Sequence, residues 1–310
     1  MAEEHFADRL LGAVRGRESQ VVVGLDPRIS RLPREVMGAA GEKPGRCEAA
    51  ARAIVEFNRQ VIDAVAEQAV AVKPQVAFYE QYGVAGMRAY AETIGCARAR
   101  GLLVIGDVKR NDIASTAEAY AAAHLGGSDV PDCGDFLVDA LTVNPYLGAD
   151  GVRPFLEAAS RTGRGVFALV KTSNPSSVDV QDLDCEGRPL YERVAGLVEE
   201  WGEPHRGEGG YSLLGAVVGA PFPKELARLR ELMPHAPFLV PGFGAQGGGV
   251  EEVRAAFDSE GTGAVVNSSR GIIFAWQRPP YDERFGEARW REAIAAAAAD
   301  MRRQLWDATH

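Results

Sequence analysis

Short apolar runs, many of them β-branched, recur along this 310-residue chain at residues 21–25, 69–72, 102–108, 136–143, 165–170, 213–218, 238–240 and 264–266. Apolar on both faces, such runs read as strands buried in a parallel sheet. Between them lie segments with helical period at 49–67, 84–100, 116–124, 190–201, 224–232 and 250–257. Strand alternating with helix, about eight times, predicts a closed (β/α)8 TIM barrel of the α/β class. Periodicity alone leaves an open, doubly wound sheet as the alternative.

Three stretches exceed a minimal barrel: residues 27–48 after the first strand, 174–189 after the fifth, and 203–211 before the sixth. Extra terminal helices are expected over 6–14 and 290–305, outside or beneath the barrel. No low-complexity linker divides the chain, so residues 1–310 read as one domain.

Composition narrows the function. The formal net charge of -9 argues against a broad basic face for nucleic acid, while a locally positive cleft for a small anion remains open. The four cysteines, Cys47, Cys96, Cys133 and Cys185, have no metal-ligand spacing and read as thiols in a reducing compartment. Residues 1–6 are acidic and lack the apolar core of a signal peptide, and no apolar run approaches the ~20 residues that span a bilayer. A cytoplasmic protein is expected. The five histidines (His5, His124, His205, His235, His310) fit neither a triad nor a metal site.

In a barrel of this kind, reacting groups sit at the C-terminal ends of strands. The first run ends in Asp26, the second in Lys73, and the fifth in Lys171-Thr172-Ser173-Asn174. The third carries Asp107, Lys109 and Asp112 within Gly106-Asp107-Val108-Lys109-Arg110-Asn111-Asp112-Ile113. Alternation with period two turns Ile105, Asp107 and Lys109 toward the barrel interior, with Asp112 in the loop beyond. A Lys–Asp pair there has a structural reading, an internal salt bridge, but buried pairs are weak stabilisers. Two further charges at the same layer favour function.

The other end of the site is an anion cradle. Pro241-Gly242-Phe243-Gly244-Ala245-Gln246-Gly247-Gly248 follows the seventh run and Asn267-Ser268-Ser269-Arg270-Gly271 the eighth. Loops after strands seven and eight are the usual phosphate site of this fold, where glycines admit backbone N–H groups and an arginine binds two oxygens.

With these segments, the chain resembles the orotidine 5′-monophosphate decarboxylases. Residues 107–113 match that family's Asp-x-Lys-x-x-Asp-Ile signature, Lys73 stands where the family has its other lysine, and residues 241–247 with Arg270 match its phosphate-gripping parts. The resemblance runs from about Val21 to Arg270. Its insertions, and Asn144-Pro145-Tyr146 after the fourth run, resemble the longer bacterial subgroup.

The resemblance implies that orotidine 5′-monophosphate is converted to UMP and CO2, at the last step of de novo UMP synthesis, without cofactor or metal. Lys109 would donate a proton to C6, and Asp107 would lie against the departing carboxylate. Lys73 and Asp26 would contact the ribose, Ser173 the pyrimidine, and Gln246 and Arg270 the phosphate. Asp112 and Thr116 would come from the neighbouring subunit of a homodimer.

Plainer readings stand beside these. Asp26 before Pro27 is also a turn residue, Thr116 also a first-turn helix residue, and Thr172 competes with Ser173; Lys171 reads as structural. Related barrels that hold an enediolate on Mg²⁺, a Schiff-base aldolase using Lys73 or Lys109, and a nucleotide-binding protein without turnover are the competing functions.

Overall fold

The computed structural model describes residues 4–39, 47–130, 133–220, 223–244 and 249–310. Eight strands, β1 (Val21–Leu25), β2 (Ala71–Pro74), β3 (Leu103–Arg110), β4 (Ala140–Val143), β5 (Gly165–Lys171), β6 (Leu214–Val218), β7 (Phe238–Pro241) and β8 (Ala264–Ser268), pair in chain order. Every pairing is parallel, and β8 closes on β1 through Val21↔Val266 and its neighbours. The sheet is thus a closed (β/α)8 barrel rather than a doubly wound one. Strands buried on both faces account for the near-continuous apolar runs: all residues of β1, β4 and β6 are buried.

Two strand boundaries differ from those read in the sequence. β2 lies two residues further on than 69–72 and so takes in Lys73 and Pro74. The run at 136–143 is a strand only from Ala140. Below it, residues 134–137 form a turn in which the Leu137 N–H bonds the Gly134 carbonyl, and Phe136 packs beside Tyr90 and His124. That stretch is apolar because it fills space beneath the helices, not because it is extended.

A helix follows each strand. The segments singled out in the sequence are helical, including Cys47–Val65, Gly83–Ala99, Ala114–Leu125 and Leu190–Gly202. One was missed: Ala149–Thr162, after β4. The helix Trp290–Thr309 is not an addition to the barrel. It packs against Cys47–Val65 on one side and Val250–Val253 on the other, the place that the eighth helix of the ring occupies. Trp290 and Phe274 stack on Phe57 with centroids 5.4 and 5.9 Å away. Among the described residues no helix is long and apolar enough to cross a membrane.

The helix Phe6–Arg17 closes the end of the barrel opposite the strand C-termini. Phe6 is fully buried, edge-on to Phe167 at 5.9 Å, and its ring fills the space a side chain at Gly165 would need. Arg9 donates to Asp139 at 2.6 Å, and Asp8 accepts the N–H groups of Glu208 and Gly209. The 203–211 stretch is therefore at this closed end, away from the strand C-termini.

Removing the Phe6 ring leaves a cavity against Phe167 and Gly165. Phe6→Ala is expected to lower the unfolding free energy by about 3–5 kcal/mol, read as a lower urea midpoint with an unchanged slope.

Candidate active site

The parallel barrel brings every strand C-terminus to one mouth, and three charged side chains from β2 and β3 meet there. Asp107 and Lys73 are each only 6% exposed. Lys73 Nζ donates to Asp107 Oδ2 at 2.5 Å, and Lys109 Nζ donates to Oδ1 of the same carboxylate. Burial alone would push the Asp107 carboxyl up. The two ammoniums, by charge and by hydrogen bond, more than reverse this and hold it well below the usual carboxylate range. Burial would likewise lower Lys73, but Asp107 and Asp26 raise it, so it stays an ammonium. A lysine before proline at a strand end can also be a solvated edge, but Lys73 is enclosed.

Lys109 reaches Asp107 by a different route from the one alternation predicts. β3 pairs with β4 as Gly106↔Leu141 and then Arg110↔Val143, so three residues of β3 face the single Thr142 of β4. In this bulge Lys109 takes φ +43°, a left-handed backbone that costs a non-glycine residue about 1–3 kcal/mol. Its side chain is 44% exposed and stands at the open mouth, not in the barrel interior. Strain of this kind is tolerated where surroundings enforce it, and here the Thr142 hydroxyl accepts the N–H groups of Val108 and Lys109 at 3.1 and 3.0 Å. Thr142 was not singled out in the sequence; the signal was a hydroxyl inside the otherwise apolar run Ala140–Val143. Arg110 turns away, to Glu80 at 2.7 Å and over the Tyr120 ring.

Asp26 stands at the end of β1 close enough to raise Lys73, and its Oδ1 is buried without a protein partner among the described residues. Asn267 Oδ1 and Ser269 Oγ at the end of β8 are left in the same condition. Buried polar atoms are nearly always bonded, so these three are places where water or a ligand would supply the missing bond. After β5 the structure separates Ser173 from its competitor. The Thr172 hydroxyl donates to Asn174 and accepts from Gln181, whereas the Ser173 side chain has no hydrogen bond among the described residues and lies against Gly219, where a Cβ would come within 3.0 Å of it. Lys171 is buried and paired with Asp182, which anchors the inserted 174–189 stretch, in line with its structural reading.

At the anion end, Gly242 and Gly244 have φ +101° and +71°, backbone that side-chain-bearing residues avoid. Gln246 lies outside the described residues. Arg270 opens the short helix Arg270–Ile273 and is exposed. It has cationic company that the sequence reading did not name. Arg31 stacks over the Phe274 ring at 4.0 Å and donates twice to Gln277 Oε1, at 2.8 and 2.6 Å. Burial first, then the positive charges of Arg28, Arg278 and Arg270, push the Arg31 guanidinium pKa down. Four guanidiniums thus share one region of an acidic protein.

Asp112 does not join the cluster around Asp107. Its carboxylate accepts the N–H of Ile113 at 2.8 Å, and among the described residues it forms no ion pair. Beyond it, Ile113 is 51% exposed, Ala114 takes φ +47°, and Thr116 is exposed on the first turn of Ala114–Leu125.

Comparison with known proteins agrees with this geometry. Residues 19–279 match the Orotidine 5'-phosphate decarboxylase / HUMPS family. An orotidine 5'-phosphate decarboxylase of Rhodopirellula baltica is 48% identical over 300 residues, covering 97% of this chain and 98% of its own. One from Caldicellulosiruptor bescii is 43% identical over 278 residues, with 88% and 90% covered. Among solved structures, the OMP decarboxylase of Leishmania donovani superposes with a TM-score of 0.73 at 31% identity, over 98% of this chain and 99% of that one. With the match spanning most of the barrel, this chain belongs to the orotidine 5′-phosphate decarboxylase family.

Proposed function

We propose that this chain decarboxylates orotidine 5′-monophosphate to UMP and CO2, the last step of de novo UMP synthesis, through charges supplied by its own side chains. The observation that carries the reading is the buried carboxylate of Asp107, held ionised between Lys73 and Lys109 at the barrel mouth.

Breaking the bond between C6 and the carboxylate leaves an electron pair on a ring carbon with no conjugated acceptor. Fixed charges in a water-poor site can stabilise such a pair without reorganising. A substrate carboxylate brought against Asp107 adds a second negative charge to a dry site, and leaving as neutral CO2 relieves it. The Lys109 ammonium stabilises the electron pair on C6 and then donates a proton to it, giving UMP; Lys109 is reprotonated from solvent, to which its side chain is open. Lys73 remains the enclosed counter-charge and, with Asp26, faces the ribose hydroxyls. Ser173, with its uncommitted hydroxyl, takes a polar edge of the pyrimidine. Arg270 and Gln246 hold the phosphate, whose remote binding energy can be used to close the site.

Asp112 and Thr116 complete the site of a second copy in a homodimer, each chain contributing one barrel domain. Two observations support this: Asp112 stays out of its own ion-pair cluster, and the alanine-rich helix that follows leaves Ala119, Tyr120 and Ala123 exposed beside Ile113. A helix apolar on most sides is normally covered. Four unpaired thiols suit a reducing cytoplasm.

Ultraviolet absorbance during turnover of orotidine 5′-monophosphate tests the reading directly. Lys109→Ala is expected to lower kcat by about 10²–10⁴-fold while UMP still binds. EDTA should leave the wild-type rate unchanged; loss with EDTA and recovery with Mg²⁺ would instead mark a barrel that stabilises an enediolate. Arg270→Gln should raise KM by about ten- to a hundredfold, the equivalent of losing charge-assisted hydrogen bonds. Mixing two inactive proteins, Lys109→Ala and Asp112→Asn, should restore about a quarter of wild-type activity, since half of the random dimers carry one intact site. No recovery on mixing would place Asp112 in its own chain's site.

A further inference from the structure

The proposed reaction rests on the mutual placement of Asp107 and Lys109, and one hydroxyl touches both. Between the pairs Gly106↔Leu141 and Arg110↔Val143, β3 has three residues where β4 has one. In a regular ladder consecutive amides point to opposite neighbours, so only one of Val108 and Lys109 would face β4. Both instead donate to Thr142 Oγ1, at 3.1 and 3.0 Å. The same hydroxyl donates to Asp107 Oδ1 at 3.1 Å, the carboxylate oxygen that also accepts from Lys109. A threonine hydroxyl has one proton and two lone pairs, and all are used here. Thr142 itself is 1% exposed.

From this we propose that Thr142 is a positioning residue for decarboxylation: its hydroxyl fixes the left-handed backbone at Lys109 and the rotamer of Asp107 together. The inference deepens the proposed activity and depends on it. Without the hydroxyl, the Val108 and Lys109 N–H groups lose their acceptor and the bulge loses the bonds that hold it. Lys109, at φ +43°, can then relax toward ordinary extended backbone, which swings its ammonium away from the point where the C6 electron pair forms. Thr142 lies behind Asp107, on the strand rather than in the mouth, so the change acts on the chemical step more than on nucleotide binding.

Valine has nearly the shape of threonine and no hydroxyl. Thr142→Val is expected to lower kcat by about 10–100-fold, the effect of misplacing a reacting group by about an ångström. The dissociation constant of UMP should change less than about threefold. Thr142→Ser keeps the hydroxyl and is expected to return kcat to within about threefold of wild type. Hydrogen exchange supplies a readout independent of turnover: the amides of Val108 and Lys109, protected in wild type and Thr142→Ser, should exchange faster in Thr142→Val. Should the valine variant fail to fold, Thr142→Ala, which also lacks the hydroxyl, carries the same expectation for kcat and exchange. The proposal is overturned if a folded hydroxyl-free variant keeps wild-type kcat, or if serine loses as much kcat as valine. Failure of the activity itself looks different. Wild type would then leave orotidine 5′-monophosphate unchanged with both amides still protected, ending the catalytic role of Thr142 while leaving its bonds in place.

Discussion

A carboxylate taken out of water has to be compensated by charges that are already in position, and Asp107 imposes that demand on the whole barrel mouth. Its desolvation would otherwise favour the protonated acid, which could not repel a substrate carboxylate. The two ammoniums that prevent this come from different places and are not equivalent. Lys73, 8% exposed along its side chain, is enclosed between β1 and β3 and serves as fixed compensation. Lys109, 44% exposed, touches the same carboxylate from the open side. Only the second is open enough to exchange protons with solvent. Removing either would leave a buried charge short of a partner, so the registers of β2, β3 and β4 are tied to the chemistry as much as to stability.

The same reasoning applies at the opposite rim. A net charge of -9 describes the protein as a whole, not the region where Arg28, Arg31, Arg270 and Arg278 lie near one another. Like charges held together raise the energy of the empty site, and Arg31 cannot move away because Phe274 and Gln277 fix it. In the proposed function a phosphate dianion would relieve that repulsion, and the cost in the free protein would become affinity for the ligand. Arg28 and Arg31 belong to the stretch after β1, Arg270 and Arg278 to the stretch after β8. Adjacent strands of the closed barrel are what bring the two stretches together.

The barrel was legible because its strands are buried on both faces and its helices are not, a contrast that survives in composition. The charged strand ends were legible for the same reason: Lys73 and Asp107 stand where apolar residues would otherwise serve. What alternation could not convey was the bulge. Its period-two rule places Lys109 inside the barrel, whereas the bulge of three residues facing Thr142 leaves it at the open mouth, still paired with Asp107. The run at 136–143 misled in a related way, since apolar character reports burial and not extension. The helix Ala149–Thr162 carries Pro154, which reads as a breaker. In the structure that proline lies in the second turn, gives up the bond its N–H would have made to the Asp150 carbonyl, and the helix continues past it. The arginines at 28, 31 and 278 are separated from Arg270 by most of the chain or by a loop, and only closure of the barrel reveals them as a group.

The signature segment bears directly on the proposal that Asp112 serves a second copy. Asp107 and Asp112 are five residues apart, yet β3 ends at Arg110 and the chain then leaves the barrel. Ile113 is extended and Ala114 is left-handed, a sequence of conformations that turns the backbone outward into the helix Ala114–Leu125. The Asp112 carboxylate is bonded to the first N–H of that turn, outside the cluster that Asp107 organises. A conformation that exposes Ile113 and places a non-glycine residue at positive φ is costly for an isolated chain. It becomes reasonable if the turn is read by a second copy, whose open mouth lacks the fourth charge that Asp112 supplies. On the proposed reading the two carboxylates of one motif belong to two different sites, and dimer interface and active site become a single structural requirement.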